Sequence, residues 1–329
     1  NRNNSGLGSL RSALLSAASY TGEVVPRIIV NPDMAGQTIS LSSALTAGGE
    51  ACIIEGNGVI LTNHGITCDA DVTIKDITMP YVRFENDSSI TCENVTLTAT
   101  IPVYLAGGNI SAEDLAGLTF TATNAMLGIS ELWNGTLSSM TDLFPGGYVL
   151  TQNVILAADE TLDVEDGVSI NMQGYALNVF GTLNAEYDEV SALLTTTRDY
   201  AYLNIQDGGQ MNLKNASLNI GSGGLWGRVS VFSGGVLNME GGDLFANYYH
   251  VQIAEGGQAT LVGTNVRSAI NNSGTLNMMG VNSSSYIEAW GTTLLDGVTC
   301  TTLCVDSSSD VSTGENGVTL TSAEAFRLV

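Results

Sequence analysis

The stretch Tyr202–Leu218, YLNIQDGGQMNLKNASL, returns several times in the second half of the chain. With Gly209 as the origin, the same position recurs at intervals of 17 to 26 residues, at Gly235, Gly257, Gly274, Gly291 and Ser309. Four residues after each glycine origin stands a long aliphatic residue: Leu213, Met239, Leu261, Met278 and Leu295. Six residues after it stands Asn215, Gly241, Gly263, Gly280 or Gly297. Strands and glycine turns at a period of about 20 residues are typical of a solenoid, in which coils bury apolar residues by stacking.

A shorter series precedes this one, in the first half of the chain. Its members are VTIKDIT at 72–78, ITCENVT at 90–96 and ISAEDLA at 110–116, with a partial fourth member at Asn134. Asp76, Asn94 and Asp114 share one position, where a short polar side chain can satisfy its own turn and stack on the next coil. We therefore interpret these residues as structural rather than metal-binding.

Residues 1–22 differ from the repeats, and Ser9 is a candidate N-cap for a helix with Leu10, Ala13, Leu14 and Ala17 on its apolar side. The segment Gly8–Leu14, GSLRSAL, resembles the GSLR-x-A-[IL] opening of many secreted bacterial right-handed parallel β-helix proteins, the surface adhesins and autotransporter passengers. The segment 148–185 resembles a first coil that recurs in bacterial surface β-helices. These resemblances imply a pectate-lyase-like superfold and an extracellular or cell-surface location.

We therefore predict an all-β fold, a right-handed parallel β-helix (solenoid) with a short N-terminal helical cap. LSSMTDLFPGG at 137–147 interrupts the repeats, so a boundary or bend is expected near residue 143. The predicted parts are an N-terminal cap at 1–22, a first β-helix segment at 23–143 and a second at 144–329.

Charge narrows the range of partners. The 329 residues include 33 acidic and 10 basic ones, which give a formal net charge of −23. That field repels nucleic acid, so no nucleic-acid partner is expected. No apolar run approaches the ~20 residues that cross a bilayer, so no membrane insertion is expected either. The five cysteines lack zinc spacing, and most of them are interpreted as small apolar fillers inside coils.

Catalytic motifs are sparse, and we predict no catalytic residue, metal or cofactor. The chain has only two histidines, His64 and His250, and lacks GxSxG and HExxH. Lys75 and Lys214 lie far apart, which disfavours a uronate lyase. Carboxylates are densest at Asp159, Glu160, Asp163, Glu165 and Asp166. We interpret this acidic set as a solvated edge rather than a metal site, and paired carboxylates keep a polysaccharide-active glycoside hydrolase as the alternative.

Aromatic residues recur in register before three of the glycine origins. Nine residues before Gly209, Gly235 and Gly257 stand Tyr200, Trp226 and Tyr248; seven before stand Tyr202, Arg228 and His250. The residues six and four before each origin are aliphatic and must face the core: Leu203 and Ile205, Val229 and Val231, Val251 and Ile253. Because strand side chains alternate faces, the six side chains at the odd positions should point outward and form a ligand-binding stripe. The corresponding residues of the next two coils, counted in the same way, are Asn265 and Asn282, where the column is expected to end. Tyr286 and Trp290 lie near it.

Aromatic rings beside amide and guanidinium groups suit a neutral glycan or a protein partner. Two other interpretations are that the rings form a ladder that only stiffens the sheet, or that a loop at 186–199 covers the patch. The expected function is an extracellular, non-catalytic surface scaffold or adhesin module that binds a glycan or a host or neighbour-cell protein. A self-assembling structural subunit, joined as a homo-oligomer or end to end, is a close variant. A phage tailspike-like protein is a third reading.

Overall fold

The structure, a computed structural model, describes residues 6, 8–49, 51–85, 88–106, 112–132, 134–322 and 326–328, without the side chains of Ser222, Tyr248 and Tyr249. The chain is nearly all β, with 54% of residues in strands and 5% in helix, and it forms a parallel β-solenoid of about 13 turns with one short N-terminal helix. The predicted fold class is confirmed.

The chain divides into two compact units. Unit 1 comprises residues 1–131 and 140–148, and unit 2 comprises residues 132–139 and 149–329. The predicted domain limits at 22 and 143 stay a prediction.

Unit 1 begins with helix α1 (Leu10–Ala18). Its strands are β1 (Arg27–Ile29), β2 (Thr38–Ser40), β3 (Leu45–Ala47), β4 (Ala51–Thr62), β5 (Ile66–Cys68), β6 (Asp71–Met79), β7 (Val82–Glu85), β8 (Ile90–Leu97), β9 (Val103–Ala106), β10 (Leu118–Phe120) and β11 (Leu127–Glu131). One parallel sheet has the order β1-β4-β6-β8-β10, with β2 also on β4, and a second runs β3-β5-β7-β9-β11.

Helix α1 packs on β1 and β3 and buries Leu10 and Leu14. Ser9 is the N-cap, and its Oγ accepts a hydrogen bond of 3.2 Å from the backbone N of Ser12. The Arg11 guanidinium donates to the carbonyls of Ser43 and Ala44, at 2.7 and 2.9 Å, just before β3. Two residues of the GSLR motif therefore start the helix and attach it to the first coil.

Unit 2 holds most of the remaining strands; β13 lies at the division between the units. The strands are β12 (Gly135–Leu137), β13 (Tyr148–Leu150), β14 (Val154–Leu156), β15 (Thr161–Val164), β16 (Ile170–Asn171), β17 (Ala176–Val179), β18 (Thr182–Thr195), β19 (Ala201–Ile205), β20 (Gln210–Ile220), β21 (Gly227–Val231), β22 (Val236–Glu240), β23 (Asp243–Ala246), β24 (Tyr248–Ile253), β25 (Gln258–Val262), β26 (Asn265–Val266), β27 (Ile270–Asn272), β28 (Thr275–Met279), β29 (Asn282–Ser283), β30 (Tyr286–Ala289), β31 (Thr292–Asp296), β32 (Val298–Cys300), β33 (Thr302–Val305), β34 (Val311–Thr313), β35 (Val318–Leu320) and β36 (Phe326–Leu328).

Three parallel faces surround the core of unit 2. Face 1 is the sheet β14-β17-β19-β21-β24-β27-β30-β33-β36. Face 2 runs β12-β15, then the first halves of β18 and β20, then β22-β25-β28-β31-β34. Face 3 runs from β16 through the second halves of β18 and β20 to β23-β26-β29-β32-β35.

The repeat positions have clear structural roles. The five aliphatic residues that follow each glycine origin by four pair in register along face 2 and are at most 4% exposed. The residues two positions later form the corner between faces 2 and 3, all in the left-handed region, with φ of 54° at Asn215 and 59° at Gly263. Glycine and asparagine adopt this conformation at low cost, so they recur there.

The glycine origins are required by close approach between coils. A Cβ on Gly209 would lie 2.0 Å from the carbonyl oxygen of Val179 in the preceding coil, and one on Gly291 would lie 2.3 Å from that of Gly274. A larger residue at either of these two glycines would push the stacked coils apart.

In unit 1, the corner role of Asp76 and Asn94 is as expected. Both have positive φ, and Asn94 Nδ2 donates to Asp76 Oδ1 at 2.7 Å. The expected third member at Asp114 is wrong by three residues. Val95 pairs with Leu118, so the corner position that follows Asn94 in the next coil is Gly117, with φ of 82°. Ile110 and Ser111 of that series lie outside the described residues.

Candidate functional site

The outward residues of face 1 form columns that cross successive coils. The inward residues of β19, β21 and β24 are fully buried, as expected for Leu203, Ile205, Val229, Val231, Val251 and Ile253. Because side chains alternate along a strand, the residues between them face outward.

Four of the six predicted site residues form two contacting pairs. The rings of Tyr200 and Trp226 meet edge to face with centroids 5.5 Å apart, and the side chains are 51% and 36% exposed. In the adjacent column, the Arg228 guanidinium lies over the Tyr202 ring, 5.1 Å from its centroid. Rings that contact each other in this way strengthen the sheet, so this patch has features of the stiffening ladder as well as of a binding surface.

The other two predicted site residues, Tyr248 and His250, are displaced by a β-bulge. Tyr248 pairs with Gly227, but Val251 pairs with Val229, so β24 contains one residue more than its partner strand. His250 absorbs the extra residue with φ of 62°. Such bulges redirect side chains. The side chain of Tyr248 is not described.

His250 contacts Tyr286, two coils further on. Its Nε2 and the Tyr286 hydroxyl share a hydrogen bond of 3.3 Å, and the rings meet edge to face. The intervening coil carries Ala269, whose small buried side chain lets the two residues meet.

The expected end of the column at Asn265 and Asn282 is wrong, because both lie in strands of face 3. Four residues separate β19 from β20, but only two separate β27 from β28. A position counted back from the glycine therefore differs by two residues from the true strand register in the shorter coils. The loop expected at 186–199 is mostly strand, since β18 continues to Thr195.

A concavity on face 1 lies at the end of its strands, where the sequence analysis placed no binding residue. The outward column at this edge includes Phe232, Ala254, Ser273 and Trp290 in four successive coils. Phe232 and Trp290 are 37% and 50% exposed, and the two residues between them are small. A groove of about 360 Å³ results, and coil spacing sets its flanking side chains about 14 Å apart.

Polar side chains from the neighbouring column line the groove: Ser230, Gln252, Asn271 and Glu288. Ser230 is 3% exposed, and its Oγ has no hydrogen-bond partner among the described residues; the same holds for Asn271 Oδ1. Asn204 Oδ1 and Arg228 Nε, on the same face, are also buried and unpaired within the described part of the chain. Unpaired buried polar atoms are costly in a folded protein.

Face 2 provides the contrast. A second groove, of about 510 Å³, lies there beside a continuous ladder in which the amide of Asn184 donates to Asp163, that of Asn212 to Asn184 and that of Asn238 to Asn212, at 2.8 to 2.9 Å. Glu186 and Lys214, which also line it, form an ion pair. These polar groups already satisfy one another, so this groove has less to offer a ligand.

Three of the acidic residues at 159–166 support turns. Glu160 Oε2 accepts from the Ala157 backbone N at 2.7 Å, Glu165 Oε2 accepts from the Ser139 backbone N at 2.9 Å, and Asp166 Oδ1 accepts from the Gly167 backbone N at 2.9 Å. Among the described residues, no three His, Cys, Asp or Glu side chains are placed to hold a metal ion. In the same part of the chain, no helix is both long and apolar enough to cross a bilayer.

Comparison of the chain with protein-family models, with curated proteins and with solved structures finds no match.

Proposed function

We propose that the chain is an extracellular, non-catalytic solenoid module that binds a neutral glycan on face 1. The observation that carries the proposal is the groove between Phe232 and Trp290, in which exposed aromatic rings flank a row of hydroxyl, amide and carboxylate groups. Aromatic faces stack on sugar rings, and convergent polar groups fix their orientation.

Charge supports a neutral ligand. The chain has a formal net charge of −23, which disfavours anionic polymers. The extracellular location rests on the resemblance of Gly8–Leu14 to secreted β-helix proteins, and end-to-end assembly stays a prediction.

A glycoside hydrolase is the second candidate, because Glu288 lies in the groove. Hydrolysis by the usual mechanism needs a pair of carboxylates that flank the scissile bond. Glu288 is the one carboxylate among the described residues that line this groove, so binding without cleavage is the better-supported proposal.

Retention of the protein on insoluble cellulose, chitin, xylan and mannan tests the proposal, with released sugar assayed in the same tubes. The parent chain is compared with Trp226→Ala plus Trp290→Ala on face 1 and with Val262→Ala plus Met279→Ala on face 2. We expect retention of the parent and of the face 2 variant, loss of retention in the face 1 variant, and no released sugar. Sugar release would favour the hydrolase, and absence of parent retention on every glycan would leave a protein partner as the better reading.

A further inference from the structure

We infer that the groove between Phe232 and Trp290 is the subsite at which face 1 holds its ligand, and that it takes a short neutral saccharide segment. This inference rests on the proposed function and places the ligand contacts on residues outside the predicted aromatic stripe. Those residues are Ser230, Phe232, Gln252, Asn271, Glu288 and Trp290.

The shape of the groove is the first argument. The outward column has the small side chains of Ala254 and Ser273 in its two middle coils and the rings of Phe232 and Trp290 at its two ends. A volume of about 360 Å³ falls in the lower part of the range for small-molecule sites, about 300–1,000 Å³. The groove therefore accepts a short segment rather than a bulky fold.

Hydrogen-bonding capacity is the second argument. Ser230 and Asn271 line the groove, with Ser230 Oγ and Asn271 Oδ1 buried and without a partner among the described residues. The exposed amide of Gln252 lies between these two residues in the column. Saccharide hydroxyls both donate and accept, so a sugar that enters the groove can pair with the amide of Gln252 and with the carboxylate of Glu288. Polar groups that converge in a groove in this way fix the orientation of a bound sugar.

Charge is the third argument. Glu288 is an acceptor for hydroxyl donors, and the residues described as lining the groove include no lysine, arginine or histidine. A uronate or a phosphorylated sugar would place its negative charge beside this carboxylate without a compensating cation. The groove therefore selects neutral sugars.

The predicted stripe is less suited to this task. Tyr200 contacts Trp226, and Tyr202 lies under Arg228, so part of each aromatic surface is already covered. Trp290 has no ring contact or hydrogen bond from its side chain to another described residue and is half exposed. Trp226 and Trp290 thus form a matched pair, exposed tryptophans on the same face with one in the stripe and one in the groove.

Calorimetric titration with soluble cello-, xylo-, manno- and malto-oligosaccharides, and with oligogalacturonate as the anionic probe, tests the inference. We expect Trp290→Ala to weaken binding of the neutral oligosaccharide that the parent binds by about tenfold or more, as for an aromatic residue that stacks on the ligand. Phe232→Ala should also weaken it, whereas Trp226→Ala should leave it within about twofold, and oligogalacturonate should not bind. Thermal unfolding of each variant establishes that it is folded.

The outcomes separate the two proposals. If the parent binds a neutral oligosaccharide but Trp226→Ala abolishes binding and Trp290→Ala does not, the groove assignment is wrong and glycan binding by face 1 stands. If oligogalacturonate binds at least as well as the neutral oligosaccharides, the ligand class is wrong. If the parent binds none of these sugars and is retained on none of the insoluble glycans, both the subsite and the proposed function fall.

Discussion

Phe232 and Trp290 stand in the same outward column of face 1, three coils apart, with Ala254 and Ser273 as the residues between them. In a regular solenoid, similar side chains stack along such a column and keep the face flat. Here the column drops to two small residues between two exposed rings, which makes a concave site on an otherwise extended surface. The relationship depends on strand register and not on any single loop.

The contact between Tyr200 and Trp226 predicts measurable coupling between them. We expect a double-mutant cycle of Tyr200→Ala and Trp226→Ala, followed by urea unfolding, to give an interaction free energy of about 0.5–1.5 kcal/mol. The pair Tyr200 and Trp290, which lie on the same face without contact, serves as the control and should be additive. Coupling as weak as in the control would show that the two rings do not pack together.

The amide ladder on face 2 predicts an unequal loss of stability along one column. Asn212→Ala leaves Asn184 Oδ1 without its donor and Asn238 Nδ2 without its acceptor, so we expect the free energy of unfolding to fall by about 1 kcal/mol or more. Asn277 lies in the same column, and its side chain makes no hydrogen bond with the described residues, so Asn277→Ala should cost less than about 0.5 kcal/mol. Equal losses in chemical denaturation would contradict the ladder.

The left-handed corner predicts which substitutions are tolerated. A Cβ on Gly263 would meet no atom within 4 Å, so the cost of replacing it comes from its φ of +59°. We expect Gly263→Ala to lower the free energy of unfolding by about 1–2 kcal/mol. Gly263→Asn should cost less, because Asn215 already adopts φ of 54° at the same corner. A larger loss for asparagine than for alanine would show that the corner is limited by space instead.

Burial of the cysteines predicts slow thiol chemistry and alkaline instability. Burial raises the pKa of Cys92 from 9.0 to about 12 and that of Cys300 to about 11. With Ellman's reagent at pH 8, we expect slow labelling of Cys52, Cys68, Cys92 and Cys300, which are buried, and faster labelling of the half-buried Cys304. Cys304→Ser should remove the fast phase; a fast phase that persists would place a second reactive thiol at the surface.

The same pKa shift fixes the sign of a pH effect on stability. The folded state keeps the Cys92 proton above pH 9, whereas the unfolded state releases it, so the contribution of Cys92 is full below pH 9 and is lost as the pH rises toward about 12. Cys92→Val should reduce this alkaline fall in the free energy of unfolding. An unchanged profile would show that other groups cause it.

The repeat itself could be predicted from the sequence because its main signals are local. Leu213 and its equivalents mark the core, and Asn215 and the corner glycines mark the turn that only such residues adopt cheaply. Each of these residues follows the glycine origin by a constant number of residues, in the part of the coil that forms faces 2 and 3.

The groove could not be predicted in the same way, because the turn that precedes the glycine origin differs in length between coils. Phe232 lies three residues before Gly235, but Trp290 lies one residue before Gly291, since the intervening turn loses two residues in the shorter coils. Counting from the glycine therefore separates two residues that share a column. The extra residue at His250 is a separate irregularity, a bulge within β24 that no periodic pattern reveals.

The most direct test that the groove on face 1 is the binding site compares the parent with the Ser273→Ile variant. Both are titrated with the neutral oligosaccharide that the parent binds. Ser273 is exposed in the floor of the groove, so isoleucine fills the space without removing either ring or any polar group of the neighbouring column. Thr260→Ile, in the groove on face 2, is the matched control. The account predicts that Ser273→Ile abolishes binding while Thr260→Ile retains the parent affinity. Parent-like affinity in Ser273→Ile would contradict it.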